Sequence, residues 1–281
     1  MNQVRSHPAN ATSPNRALVR ACWWQIRKRL ARGSLSHRAY DLDLRFPARS
    51  GSFSNLVYFG ECFEWVNINL LRRYLRPGDS VVDVGGNVGM FTYAAVQAGA
   101  QVHVFEPLAW AADVIRDNVD RNGLSQRVHV HSIAVTDRVG SVPFTQDLDV
   151  SSHIQVRDGG LTGRRIADVP TSTLDAVLPP GPIALAKIDV EGAEALALLG
   201  LSEHLAAANP PVLIVEADAG TMDRFGSSRA RVFAILSEFG YEPHLYDVAA
   251  SRFVPFPPDS TSDMVAIHTE ALTAVEARLR Q

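Results

Sequence analysis

An α/β fold built on a central, mostly parallel sheet is predicted by three observations in this 281-residue chain. From Ser80 onward, short apolar runs alternate with segments of helical spacing, the rhythm of βαβ units whose strands are buried on both faces. The first run, Val81-Val82-Asp83-Val84, enters the glycine-rich turn Gly85-Gly86-Asn87-Val88-Gly89 and then a helix. Acidic residues follow the later strands, at Glu106, Asp189 and Glu216, where open α/β sheets bind their ligands.

Composition narrows the class. A formal net charge of -3 and a hydrophobic share of 46% are those of an ordinary globular chain, with no whole-molecule attraction to nucleic acid. Cys22 and Cys62 stand forty positions apart, without a C-x-x-C pair or a His cluster, so neither a disulfide framework nor a structural zinc is expected. No apolar run reaches the ~18 residues of a spanning helix, and the first fifteen residues are too polar for a secretory segment. A soluble, cytoplasmic protein is the expectation.

Taken in order, residues 1 to about 15 read as a flexible tail, with Pro8 and Pro14 among Asn and Ser. The segment 16–32 reads as a basic amphipathic helix, with Arg16, Arg20, Arg27, Lys28, Arg29 and Arg32 beside Trp23, Trp24, Ile26 and Leu30. It suits peripheral contact with an anionic membrane or a polyanion, or packing of its apolar side on the domain. Tyr40 to Phe46 alternates as a half-exposed cap strand does. The tail, helix and cap strand are thus assigned to 1–54 and the main domain to 55–281.

The aromatic run Leu56 to Trp65 is either core or one wall of a pocket, with Glu61 and Glu64 inside it. Glu61 to Leu75 has helical spacing, with Phe63, Val66, Leu70, Leu71 and Tyr74 on one side, ended by Pro77-Gly78-Asp79. Five strands are expected at Val81–Val84, Val102–Phe105, Val128–Ile133, Ile183–Ile188 and Val212–Val215. Tyr241–Tyr246 and Met264–His268 complete a seven-stranded sheet with an antiparallel edge member. No fixed-period repeat interrupts this order.

The turn follows D-x-G-x-N-x-G rather than G-x-G-x-x-G, because Asn87 replaces the glycine that would admit a pyrophosphate. That pattern favours S-adenosylmethionine over a dinucleotide. Gly85, Gly86 and Gly89 permit close ligand approach, the free amides suit the methionyl carboxylate, and Asp83 attracts the ammonium and sulfonium. Glu106, about twenty residues on, is placed for the ribose hydroxyls, or is an N-terminal helix residue favoured by the dipole. Ser132, at the end of the third strand, is the candidate reader of the adenine edge.

The fourth strand ends in Ala186-Lys187-Ile188-Asp189-Val190-Glu191-Gly192-Ala193-Glu194. With the turn Val82 to Gly89, Phe105-Glu106-Pro107, Thr173-Leu174-Asp175 and Pro211 to Glu216, this set resembles the FkbM family of S-adenosylmethionine-dependent methyltransferases. The resemblance runs in order from about Leu56 to His268, with Gly86 where the family commonly has alanine. It implies a Rossmann-like methyltransferase fold and methylation of a hydroxyl on a sugar, glycan or natural-product acceptor, by in-line displacement at the sulfonium methyl. Transfer to nitrogen is the near alternative; a nicotinamide-dependent oxidoreductase and a non-catalytic adenosylmethionine-binding module are the alternatives of other classes.

Such a transfer needs an acceptor held in line and a base to take its proton. Asp189, at a cleft-facing strand end with no evident partner, is the first candidate, joined by Glu191 and Glu216. Asp189 and Glu216 could also offer oxygens to a divalent cation such as magnesium. His153 is a second candidate base, or a solvated loop histidine. Glu194 suits the first turn of the next helix, with Lys187 as counter-charge to it or to Glu216. The run Asp158 to Arg165, with Gly159, Gly160, Gly163, Arg164 and Arg165, is either a mobile basic loop that closes over a bound acceptor or a solvated loop. Oligomeric state is left open.

Overall fold

The computed structural model describes residues 2–48, 50–62, 64–145, 166–216, 228–257, 260 and 263–280. The expected tail is instead folded: α1 (Asn2–Ser6) and a 3-10 turn at Pro8–Asn10 pack on α2 (Pro14–Leu30). The reason is local. Asn10 Nδ2 donates to the carbonyls of Val4 (2.8 Å) and Tyr58 (2.9 Å), and Val4 is buried against Ala17 and Ala21.

The cap is a hairpin rather than one strand. β1 (Ser34–Ala39) pairs antiparallel with β2 (Leu42–Pro47) through a two-residue turn at Tyr40 and Asp41, whose φ values of 54° and 62° match a primed turn. Tyr40 therefore sits in the turn, buried. α3 (Gly51–Phe59) and α4 (Trp65–Tyr74) follow, and Ser50 caps α3 by accepting from the Phe53 amide (3.2 Å). Leu70, Leu71 and Tyr74 face the core as expected, but Val66 is exposed. Phe63 lies outside the described residues.

β3 (Ser80–Val84), α5 (Met90–Gln97), β4 (Gln101–Phe105), α6 (Ala109–Arg121) and β5 (Val128–His131) form the first βαβαβ unit. A second, three-stranded sheet follows from β6 (Ala134–Val135), β7 (Gly140–Thr145) and β8 (Ile166–Ser172), in the order β6-β8-β7. After the short helix α7 (Leu174–Val177) the main sheet resumes with β9 (Leu185–Ile188), α8 (Glu194–Leu199), α9 (Ser202–Ala206) and β10 (Val212–Val215). α10 (Arg229–Glu238), β11 (Tyr241–Asp247), β12 (Arg252–Pro255), β13 (Met264–His268) and α11 (Leu272–Leu279) complete the described elements.

The main sheet has eight strands in the order β12-β11-β13-β10-β9-β3-β4-β5. β10, β9, β3, β4 and β5 run parallel, while β13, β11 and β12 are joined by antiparallel pairs. All seven expected strands form, and Arg252–Pro255 adds an eighth at the edge. Two ends are shorter than expected. Ile183 lies outside the ladder because its amide donates to Asn209 Oδ1 (2.7 Å), and β5 stops at His131, whose carbonyl accepts from the Glu106 amide (3.0 Å).

Both faces are covered. Leu70, Leu71, Tyr93, Ala94 and Ile115 pack on one side with Trp24, Leu44, Phe46 and Phe53, so the hairpin and α2 share a core with the sheet. Leu198, Leu205, Val232, Ile235 and Leu236 cover the other. The hairpin docks on α6 by an unusual device. Asn118 accepts from Arg45 N (2.6 Å) and donates to Arg45 O (3.0 Å), and Asn122 does the same to Asp43 (2.8 and 3.1 Å). Two asparagines four apart share a helix face and alternate strand residues share an edge, so the amides complete a ladder that the outer strand would otherwise leave open.

Candidate active site

β3 runs outward to β4 and β5 on one side and to β9 and β10 on the other, so strand order reverses beside β3. A cavity opens there, beyond the carboxyl ends of β3, β4 and β9. Asp83, Gly85, Gly86, Asn87, Glu106, Asp189 and Glu191 all line it, as does Lys187. Gly89 does not line it but caps α5 with φ 90°. Ser132 is outside it too: β5 ends before this residue, its hydroxyl accepts from Arg116 Nη2 (2.5 Å), and Ile133, Ala134 and Val135 form that wall instead.

The turn is held by backbone bonds. The amides of Gly85 and Gly86 both donate to Phe105 O (2.9 and 3.1 Å). Gly85 has φ 86°, and a Cβ there would lie 1.8 Å from the carbonyl oxygen of Asp189, so the position admits glycine alone. Asn87 also adopts positive φ, 49°, a conformation asparagine tolerates better than most residues. At Gly86 a Cβ would lie 2.2 Å from Val104 Cγ2. The alanine common in the resembling family would thus require Val104 to move.

Glu106 is buried and locks this turn to the next helix: Oε2 accepts from the Asn87 amide and Oε1 from the Leu108 amide, each at 2.8 Å. Burial pushes its carboxyl up to about 7, against the lowering effect of those two amides. Each oxygen keeps a second lone pair for a hydroxyl donor. Asp83 is fully buried, and its Oδ2 accepts from the Thr92 hydroxyl (2.6 Å). Burial raises it to about 6, opposed by Lys187 and by the Thr92 bond. Among the described residues nothing partners Asp83 Oδ1 or the indole Nε1 of Trp110, which also lines the cavity.

Asp189, expected to stand unpaired, is paired. Lys187 Nζ lies 2.7 Å from its Oδ2 and 3.5 Å from Glu64 Oε2, and stands over the Phe91 ring at 5.4 Å. Burial opposes the charge on Lys187, but Asp189, Glu64 and Asp83 together hold its proton more firmly than in water. Asn67 extends the network, donating to Asp263 Oδ2 (2.6 Å) and Glu64 Oε2 (3.3 Å). Lys187 therefore serves Asp189 and Glu64, not Glu194 or Glu216. Glu194 acts as expected, its Oε1 accepting from the Gly192 amide (2.9 Å) ahead of α8.

Glu216, after β10, is not part of the cavity lining. One oxygen each of Asp189, Glu191 and Glu216 nevertheless lie within 4.8 Å of one another. Burial, then Asp189, Glu191, Glu194 and Asp263, push Glu216 up to about 9. His153 and the basic loop Asp158 to Arg165 lie outside the described residues.

Several wall residues come from segments that carry no motif. Ser52 and Asn55 of α3, Glu64 before α4, Trp110 of α6 and Phe144 of β7 all reach the cavity. Glu61, by contrast, is structural: it accepts from the Tyr40 amide (2.6 Å) and pairs with Arg72 (2.6 Å).

Comparison with known proteins adds four findings. The model of the methyltransferase FkbM domain matches residues 83–243, more than half of the chain. The 31-O-demethyl-FK506 methyltransferase FkbM of Streptomyces tacrolimicus is 32% identical over 162 residues, 46% of this chain, which spans 62% of that relative's length. The ribosomal protein L11 methyltransferase of Bacillus pumilus is 32% identical over 73 residues, covering 26% of this chain and 24% of its own. Among solved structures, the Pyrococcus abyssi tRNA (uracil-54, C5)-methyltransferase in complex with S-adenosyl-L-homocysteine aligns at a TM-score of 0.43 and 15% identity, over 84% of this chain and 44% of that one.

Proposed function

The chain belongs to the methyltransferase FkbM domain family, and from that premise we propose that it is an S-adenosylmethionine-dependent O-methyltransferase acting on a hydroxyl of a sugar, glycan or natural-product acceptor. The observation that carries this reading is the unpartnered, fully buried Asp83 Oδ1 facing a cavity, beside a glycine cradle that any side chain would fill. A buried acceptor without a donor costs roughly 1–3 kcal/mol. An ammonium on the ligand relieves that cost. The Streptomyces relative is a 31-O-demethyl-FK506 methyltransferase, which supports oxygen as the acceptor atom.

When bound, S-adenosylmethionine supplies a methyl group already activated by its positive sulfur. The residues then have three tasks. Asp83 holds the ammonium of the amino-acid end. The Gly85–Asn87 amides, expected to be free for its carboxylate, are already spent on Phe105 O and Glu106 Oε2, so the turn contributes space rather than donors, and Glu106 offers its free lone pairs to the ribose hydroxyls. Asp189, fixed through Oδ2 by Lys187, positions the acceptor hydroxyl and takes its proton as the oxygen–methyl bond forms and the sulfur–methyl bond breaks. The ring of Phe91 and the side chains of Met90, Trp110 and Phe144 exclude water.

Calorimetry with S-adenosylhomocysteine and with NAD tests the cofactor half: binding of the first and not the second is expected, and the opposite result overturns the reading. For the acceptor half, methyl-labelled donor is incubated with hydroxylated and aminated compounds, and label confined to nitrogen would replace the O-methyl assignment. Within this proposal, the clustering of Asp189, Glu191 and Glu216 favours a version with a divalent cation such as magnesium bound by their oxygens. Turnover lost to a chelator and restored by magnesium supports it; chelator-insensitive turnover removes it.

A further inference from the structure

The basic helix α2 is not consumed by the cavity. Its buried side is fastened to α3: Trp24 Nε1 and Lys28 Nζ both donate to Ser54 Oγ (3.2 and 3.1 Å), and Arg20 donates to the carbonyls of Val57 (2.6 Å) and Tyr58 (2.8 Å). The opposite side carries Val19, Trp23, Ile26 and Leu30, all exposed, with Leu30 78% accessible. Their spacing of four, three and four residues draws them into one stripe roughly 60° wide on the helix. Arg16 and Arg27 flank it on one side and Arg29 on the other, and the Arg27 guanidinium lies over the Trp23 ring at 5.1 Å. Residues 1–40 contain eight Lys and Arg and neither Asp nor Glu, in a chain whose net charge is -3.

We infer that α2 is an interfacial anchor that lays its Val19-Trp23-Ile26-Leu30 stripe into the surface of a membrane rich in anionic lipid. Charge complementarity selects this occupant. A second copy docked through the same stripe would bring two acid-free, arginine-rich segments together, which repel. An acidic polymer would engage the arginines but leave the apolar stripe in water. An anionic bilayer satisfies both, with the apolar chains below the headgroups and the guanidiniums at phosphate level. Asn15, Arg16, Val19, Arg20 and Trp23 frame a shallow depression whose exposed lining is almost wholly apolar, suited to an acyl chain. None of the described helices is long and apolar enough to cross a bilayer, so α2, 17 residues long, lies along it. The inference does not depend on the methyl-transfer reading, because its test measures no turnover.

The full chain is floated with phosphatidylcholine vesicles with and without phosphatidylglycerol. The expected result is partition onto the anionic vesicles only, weakening with salt. The combined variant Trp23→Ser, Ile26→Ser, Leu30→Ser should lose at least about tenfold of that affinity, and each of Arg16→Gln, Arg27→Gln and Arg29→Gln about fivefold. An unchanged melting temperature for these surface variants separates lost docking from lost folding. Absence of wild-type flotation at low salt overturns the inference, as does flotation indifferent to the serine variant. A dimer in sedimentation equilibrium that the serine variant dissociates, without vesicle binding, would assign the stripe to a second copy instead.

Discussion

Glu106 is a buried carboxyl that bonds the glycine turn and faces the ligand cavity at once. In the folded protein it gives up its proton near pH 7, against an ordinary value of 4.5. The folded state therefore holds a proton that the unfolded chain has released, and the empty protein loses stability as pH rises from about 4.5 through about 7. Ligand binding runs the other way, since only the carboxylate accepts from ribose hydroxyls. Affinity for S-adenosylhomocysteine should rise about twentyfold between pH 6 and pH 8, about tenfold of it through Glu106. In Glu106→Gln the rise should shrink to the part contributed by Asp83, which titrates near 6 in the same direction. Calorimetry at the two pH values decides, and a profile unchanged by the variant would remove Glu106 from the ligand. At Gly85 the expectation is simpler. Gly85→Ala places a methyl against Asp189 O at a φ of 86°, and should cost roughly 3 kcal/mol in urea unfolding and abolish cofactor binding.

At the scale of elements, the hairpin is the part most open to test. Asn118→Ala removes both bonds to Arg45 and the 3.1 Å bond to the Tyr93 hydroxyl, and should destabilise by about 2 kcal/mol. Hydrogen exchange should then rise first at Arg45 in β2, before the sheet core. Little of this was legible in the sequence. β3, β9, β10 and β13 announce themselves because each is a short, largely apolar run buried along nearly its whole length, whereas β4, β5 and β11 are only partly buried and show through their alternation and spacing. β1, by contrast, reads Ser-Leu-Ser-His-Arg-Ala and is made a strand by its partner β2, which Asn118 and Asn122 hold in turn through Arg45 and Asp43. The site divides likewise. Asp83, Gly85, Asn87, Glu106 and Asp189 sit on strand ends, where local pattern and ligand position coincide. Ser52, Asn55, Glu64 and Trp110 reach the same cavity through packing alone. Ser132 was misplaced by a strand end set two residues too late, and the pairing of Asp189 with Lys187 needed the third partner, Glu64, to be seen.

Across the whole molecule, charge is segregated. Acids gather around Lys187 at one end of the sheet, and the acid-free segment 1–40 lies behind α3. α3 joins the two regions, with Ser52 and Asn55 toward the cavity and Ser54 toward α2. The anchor and the ligand cavity are therefore one helix apart. The proposed attachment would bring the cavity close to a lipid surface without a hinge between them.

The backbone of Asp189 has a consequence for kinetics. Its amide donates to Val84 O (3.0 Å), and its carbonyl fills the space a Gly85 side chain would take. The loop that cradles the donor and the carboxylate that receives the acceptor's proton thus share one seam of main chain. Occupying the donor half stiffens the acceptor half, so productive encounters should follow a compulsory sequence, donor first and acceptor second. Initial-rate patterns would register this as a dead-end analogue of the acceptor competing with the acceptor yet acting as an uncompetitive inhibitor toward the donor. A random-order pattern would mean that the seam transmits nothing.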